Sequence, residues 1–231
     1  MNIIRLHVTA EGQTEQTFVK RILALYLAQF NISTDARSVL TSKDNKIHKE
    51  FRGGLLSYQK ARMDIVTWMK EDNHPECRFT TMFDLYALPD DFPGYQSAKS
   101  IKNPYEKVNY LEKAFADDMN DYRFIPYIQL HEFETLLFAD MGKMEWEYLE
   151  HEKQINELMT VLRFIENKNP ELINDNPETA PSKRIINVIP EYDKVTAGVS
   201  IVEKIGIEKI MKSCQHFKEW VDVLKKTVNE E

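Results

Sequence analysis

The hydrophobic positions of this chain follow two periods that alternate through its first half. Ile3 to Val8 is rich in aliphatic and β-branched residues without a helical period, which predicts a buried strand. After a turn containing Gly12, Phe18, Ile22, Leu25 and Tyr26 recur at helical spacing from Thr14 to Phe30, with Thr14 available as an N-cap. A second strand is expected over Ser33 to Leu40. A polar stretch with Lys43, Lys46, His48 and Lys49 follows, then Gly53-Gly54 and a helix from Leu56 to Glu71. Arg78 to Tyr86 reads as the next strand and runs into a loop forced by Pro89, Pro93 and Gly94. A helix from Tyr105 to Asp118 leads to a strand over Phe124 to His131, and Glu132 to Asp140 is apolar at helical spacing. Strands alternating with helices predict a mostly parallel α/β sheet.

From Glu145 the pattern is helical only, interrupted by the Asn- and Pro-rich stretch from Asn167 to Pro181. The last helix, Ile207 to Val228, carries Ile210, Phe217, Val221 and Leu224 on one stripe. The expected organisation is an α/β domain over residues 1–141, with a helical C-terminal subdomain over residues 142–231 packed on it.

Composition narrows the class. With 231 residues, 42% of them hydrophobic, the chain can bury a sizeable core and is not a disordered tract. Its apolar runs fall far short of the roughly 20 residues needed to span a bilayer. MNIIRLHV enters a strand at once without a signal-peptide pattern, so the expectation is a soluble, cytoplasmic protein with no membrane association. Cys77 and Cys214 stand far apart, against a structural zinc site. The net charge of −7 argues against a simple nucleic-acid coat. There is no GxxxxGK[ST] loop, no GxGxxG and no Gly-x-Ser-x-Gly elbow, and Thr135 breaks the HExxH begun by His131-Glu132.

The acids are placed more tellingly. In open parallel sheets, sites form beyond the carboxyl ends of the strands. The first strand reaches Glu11, with Glu15 one helical turn on. The next acid-bearing strand carries Asp84, with Asp90 and Asp91 in the following loop, and a third delivers Glu132 and Glu134. Converging carboxylates repel one another unless a cation lies between them, and oxygen donors of this kind suit Mg²⁺ or Mn²⁺. Two such ions can clamp a phosphodiester and activate water. The plainer alternative is that these are helix caps and turn formers: Glu15 and Glu132 complementing helix dipoles, Asp90 and Asp91 shaping a turn. Lys183-Arg184 is a compact basic pair suited to phosphate or to an ordinary solvated helix start.

The turn Glu11-Gly12-Gln13-Thr14-Glu15 resembles the glutamate motif of TOPRIM domains, and most nearly that of the overcoming-lysogenization-defect nucleases. TTMFDLYALPDDFPG, QLHEFETLLFAD, PSKR with a later Tyr-x-Lys, and Cys-x-x-Phe-x-x-Trp together resemble the TOPRIM-like domain-of-unknown-function family 4276. The resemblance implies a TOPRIM-like sheet flanked by helices, with acids that bind divalent metal. Glu11 would be metal ligand or general acid/base, and Asp84 the first aspartate of an Asp-x-Asp motif. Here the motif reads Asp84-Leu85-Tyr86, so another acid must substitute, with Glu15, Glu134, Glu132 and Asp90 as candidates in that order. The implied activity is a Mg²⁺- or Mn²⁺-dependent nuclease of a prokaryotic anti-phage system. Glu11, Glu15, Asp84 and Glu134 would hold metal, Lys194 would join Glu11 and Asp84 in catalysis, and Lys183 and Arg184 would contact phosphate. Expected partners are DNA or RNA, transfer RNA included, and a separate ATPase subunit; a homo-oligomer stays open. The competing expectation is a catalytically inactive binding or regulatory subunit, and a weaker one is phosphotransfer on a small substrate.

Overall fold

The computed structural model describes residues 3–44, 49–52, 55–173, 176 and 179–228. Strands β1 (Ile4–Ala10), β2 (Ile32–Ser38), β5 (Cys77–Asp84), β6 (Phe124–Ile125) and β7 (Ile128–Gln129) make one sheet in the order β2-β1-β5-β6, with β7 also on β5. Every pairing in it is parallel. A separate antiparallel pair joins β3 (Leu40–Asp44) to β4 (Lys49–Arg52). The mostly parallel α/β sheet with a helical C-terminal portion is therefore present.

The period-two pattern of β1 fixes its two faces. Ile4, Leu6 and Val8 enter one core with helices α1 (Gln13–Phe18) and α2 (Ala24–Ala28) and the later helices α6 (Glu152–Val161), α7 (Pro181–Val188), α8 (Val199–Ile205), α9 (Ile207–Ser213) and α10 (Gln215–Lys226). The opposite face packs under α3 (Tyr58–Glu71) and α5 (Pro104–Met119), where His7 meets Trp68 and Phe79 at centroid distances of 4.7 and 5.0 Å. All eight residues of β5, the strand covered on both faces, are buried.

Caps set several boundaries. Asn103 accepts from the N–H groups of Tyr105 and Glu106, Pro104 opens α5, and left-handed Asn120 (φ 47°) closes it. Asp91 reaches back from its loop and accepts the Tyr58 N–H at 2.9 Å, capping α3. The Cys-x-x-Phe-x-x-Trp block is core. Trp220 stacks on Tyr127 (4.0 Å, 9° between planes) and donates its indole N–H to Thr80 at 2.9 Å, fastening α10 to β5. Losing such a side chain to alanine costs about 3–5 kcal/mol.

Four expectations need correction. The strand foreseen over 124–131 is two short pieces, because Pro126 has no N–H to donate to the ladder. The helix foreseen over 207–228 is two, α9 and α10, parted where Cys214 is extended (φ −118°, ψ 100°). The helical spacing read over Glu132 to Asp140 narrows to a tight i→i+3 helix, Phe133–Ala139. The first helix contains a π turn, Val19–Leu23, between α1 and α2. Lys46, His48 and the Gly53-Gly54 pair lie outside the described residues.

Candidate functional site

The carboxyl ends of β1 and β5 and the start of the 133–139 turn meet at one edge of the sheet. Glu11 follows β1 and accepts the backbone N–H of Asp84 at 3.0 Å, which locks the two strand ends together. Glu15, in the first turn of α1, accepts the Gly12 N–H at 3.0 Å, so the capping role foreseen for it is real. Glu134 begins the 133–139 turn, and Tyr192 donates its hydroxyl to it at 3.4 Å. Asp84 and Glu15 are 4% and 3% exposed and Glu134 is fully buried.

Lys194 stands among them. Its Nζ lies 3.3 Å from Glu134 Oε2, 3.4 Å from Asp84 Oδ2 and 3.6 Å from Glu15 Oε1. One ammonium thus faces three carboxylates contributed by three elements. Its side chain keeps 36% of its exposure, so the site opens to solvent at the lysine. The backbone beneath it is pinned: Asp193 accepts from the N–H and hydroxyl of Thr196 at 2.7 and 2.8 Å and donates its own N–H to Tyr148 at 3.2 Å. Gly198 admits the Tyr192 ring, since a Cβ there would lie 2.5 Å from the hydroxyl.

At these acids burial outweighs the opposing pull of the one lysine. Burial pushes Glu134 up to about 7 despite the opposing pull of Lys194. Burial also pushes Glu11 up to about 7, with Glu15 adding to it and the Asp84 N–H and Lys194 working against it. Asp84 is raised well above its ordinary value, again by burial first, with Lys194 opposing and Glu11, Glu15 and Glu134 adding. Burial pulls Lys194 down, but Asp84, Glu134 and Glu15 outweigh it and hold its ammonium protonated above the usual range. Two buried oxygens, Asp84 Oδ1 and Glu134 Oε2, make no hydrogen bond, although the second is an ion-pair neighbour of Lys194. Hard oxygen donors with unmet valence fit Mg²⁺ or Mn²⁺, so the residues present suit the implied ion.

The other foreseen acids stand apart. Glu132 accepts the Ser182 N–H and hydroxyl at 2.6 and 3.0 Å and so caps α7. Asp91 caps α3, and Asp90 is exposed and pairs with Lys99 at 3.4 Å. Lys183 is exposed on α7, and Arg184 beside it has a buried Nε without a hydrogen bond. The Ser182–Glu132 link holds that pair to the segment that carries Glu134. Tyr86, where the second aspartate of Asp-x-Asp would stand, lies against His131 at 5.3 Å. Sequence reasoning missed Tyr192, although the Tyr-x-Lys spacing that carries it was in view.

The described residues hold one other cluster of potential ligands, at the opposite edge of the sheet. His7, Asp72 and Cys77 bring donor atoms within 4.8 Å of one another, a group the acids around Lys194 do not form. Arg5 already occupies it, donating to both Asp72 oxygens at 2.9 and 2.7 Å and to Cys77 Sγ at 3.2 Å. Burial raises the Cys77 thiol, against the thiolate that a metal needs.

No described helix is long and apolar enough to cross a membrane. No curated protein matches the sequence significantly. A solved structure it is similar to is the C-terminal region of the Burkholderia pseudomallei OLD protein, at 13% identity and a TM-score of 0.46, covering 98% of this chain and 100% of that one. The family model described as a domain of unknown function, DUF4276, matches residues 10–225, and the chain belongs to that family.

Proposed function

We propose that this protein is a Mg²⁺- or Mn²⁺-dependent nuclease that hydrolyses phosphodiester bonds. The observation that carries the reading is the convergence of Glu11, Glu15, Asp84 and Glu134 at one strand edge, with two buried carboxylate oxygens left without hydrogen bonds. These four would hold the ion, whose chemistry when bound is to lower the pKa of a water and to offset charge on the phosphate. The chain's own residues supply the rest. The Asp84 N–H orients Glu11, the Tyr192 hydroxyl orients Glu134, and Lys194 brings a positive charge to the solvent side of the acids. There it can answer charge developing on a scissile phosphate. Lys183 and Arg184, at the start of α7, would contact flanking phosphates.

By the TOPRIM-like resemblance, the substrate class is DNA or RNA, transfer RNA included. The setting is an anti-phage system in the cytoplasm with a separate ATPase subunit. A second reading, a catalytically inactive binding subunit, is favoured by Tyr86 standing in place of the second aspartate. The test is calorimetric titration with Mn²⁺, followed by cleavage assays on plasmid DNA and transfer RNA with and without an ATPase encoded beside it. Wild type should bind, and Asp84→Asn should lose at least about 100-fold in affinity together with cleavage. A wild type that takes up no cation overturns the nuclease reading. Binding without cleavage of either substrate, even with the ATPase, favours the inactive subunit.

A further inference from the structure

We infer that Lys194 is a built-in counter-ion that holds the place of the divalent cation, so that the ammonium and the metal are alternative occupants of the acid cluster. The inference rests on the metal reading above and adds a condition to it: cation loading requires the lysine to leave.

The distances carry the argument. A Mg²⁺ held by Glu134 Oε2, one of the two oxygens without a hydrogen bond, at about 2.1 Å would sit no more than about 5.4 Å from the resting Nζ, which is 3.3 Å from that same oxygen. Like charges at that separation within a buried site repel strongly. The acids are also spaced for the larger occupant. Their oxygens surround Nζ at 3.3–3.6 Å, ion-pair distances longer than the roughly 2.7–2.9 Å of a charge-assisted hydrogen bond, and they do not form the group within 4.8 Å that a ligated ion draws together. They stand open around the lysine.

The route out is built in. The Asp193–Thr196 and Asp193–Tyr148 bonds and the close seat of Tyr192 on Gly198 hold the backbone still. The four-carbon stem, 36% exposed, is free to swing its ammonium toward solvent. On the solvent side the same charge meets an incoming phosphate. Arrival of an anionic substrate and loading of the cation therefore favour the same lysine position, and each should strengthen the other.

The experiment compares Mn²⁺ binding by wild type and Lys194→Met, which keeps the stem and removes the charge. The variant should bind at least about tenfold more tightly. Its melting temperature without cation should fall below that of wild type and recover on saturation with Mn²⁺. Equal or weaker binding by the variant overturns the inference and leaves the metal reading intact, whereas failure of both proteins to bind removes the two together. Should Lys194→Met not fold, nitrogen-15 NMR of the wild-type Lys194 ammonium gives an independent answer. Its signal should move to a solvent-exchanging position on saturation with Mg²⁺, and a signal unchanged at saturation overturns the inference.

Discussion

The two edges of the parallel sheet carry charged clusters of similar size and opposite character. At the amino edge, Arg5, His7, Asp72 and Cys77 close on themselves. The Arg5 fork takes both Asp72 oxygens, and the His7 ring reaches the same carboxylate at 2.8 Å. The Arg5 hydrogen bond leads in holding the Asp72 carboxyl far below its ordinary value. At the carboxyl edge one lysine faces three acids, and Asp84, Glu134 and Glu11 are all raised by burial. Arg5 and Asp72 satisfy each other and so serve the fold, although His7 Nδ1 beside them is buried without a hydrogen bond. A cluster whose burial costs exceed its internal pairing is poised for something from outside. Proximity of ligand-type atoms alone selects the amino edge, whereas buried carboxylate oxygens without hydrogen bonds select the carboxyl edge.

The contrast makes opposite predictions for pH. Glu134, raised from about 4.5 to about 7, binds its proton more tightly in the folded state. Its stabilising contribution is therefore present below pH 4.5 and lost as pH rises through 7, about 3 kcal/mol at most. In the absence of divalent cation, denaturant titrations of Glu134→Gln should show a shallower loss of stability from pH 5 to 8 than wild type. Parallel profiles would mean that Glu134 is not in the strained state described here.

Next in size is Gly198→Ala. Its methyl group would fall 2.5 Å from the Tyr192 hydroxyl and displace it from Glu134. Overpacking of this kind costs about 1–3 kcal/mol by thermal melting, and Mn²⁺ affinity should fall with it. An unchanged affinity would detach Tyr192 from the site.

The smallest effect belongs to the amino edge. Asp72→Asn should cost about 1 kcal/mol or less at pH 7, since Arg5 is 46% exposed, and it should leave Mn²⁺ binding untouched. Because the Asp72 shift is downward, its contribution shrinks as pH falls below the ordinary carboxylate range, so the gap between variant and wild type should narrow steadily with acidification. A change in Mn²⁺ affinity would break the separation of the two edges.

Much of this was legible in the sequence because it depends on local pattern. The aliphatic β1, the β-branched and aromatic β5 and the acids at their ends single out Glu11 and Asp84, because each sits where a strand meets its loop. Glu134 follows from the third strand end, although the strand itself is broken at Pro126. Lys194 sits 110 residues from Asp84, and only the family resemblance pointed to it. The buried Glu171 was not legible at all. Its carboxylate accepts the N–H groups of His216 and Phe217 at the start of α10 and the Tyr105 hydroxyl, partners 45, 46 and 66 residues away. No periodicity encodes such a meeting. Nor does Ser213-Cys214-Gln215 contain a glycine or proline to announce the break between α9 and α10.

The turn that carries Lys194 is a π turn, Lys194–Gly198, running directly into α8. Such a turn amounts to one residue more than regular helical winding uses. Each residue of an α-helix advances the chain by about 100°. A single-codon deletion at Val195, which spares Thr196 and Gly198, would let the helix wind regularly and turn what precedes it, swinging Lys194 off the acids. Chain length at this one turn is thus a setting for the charge of the site. A homologue one residue shorter here would carry the same lysine in its sequence and lack it among its carboxylates.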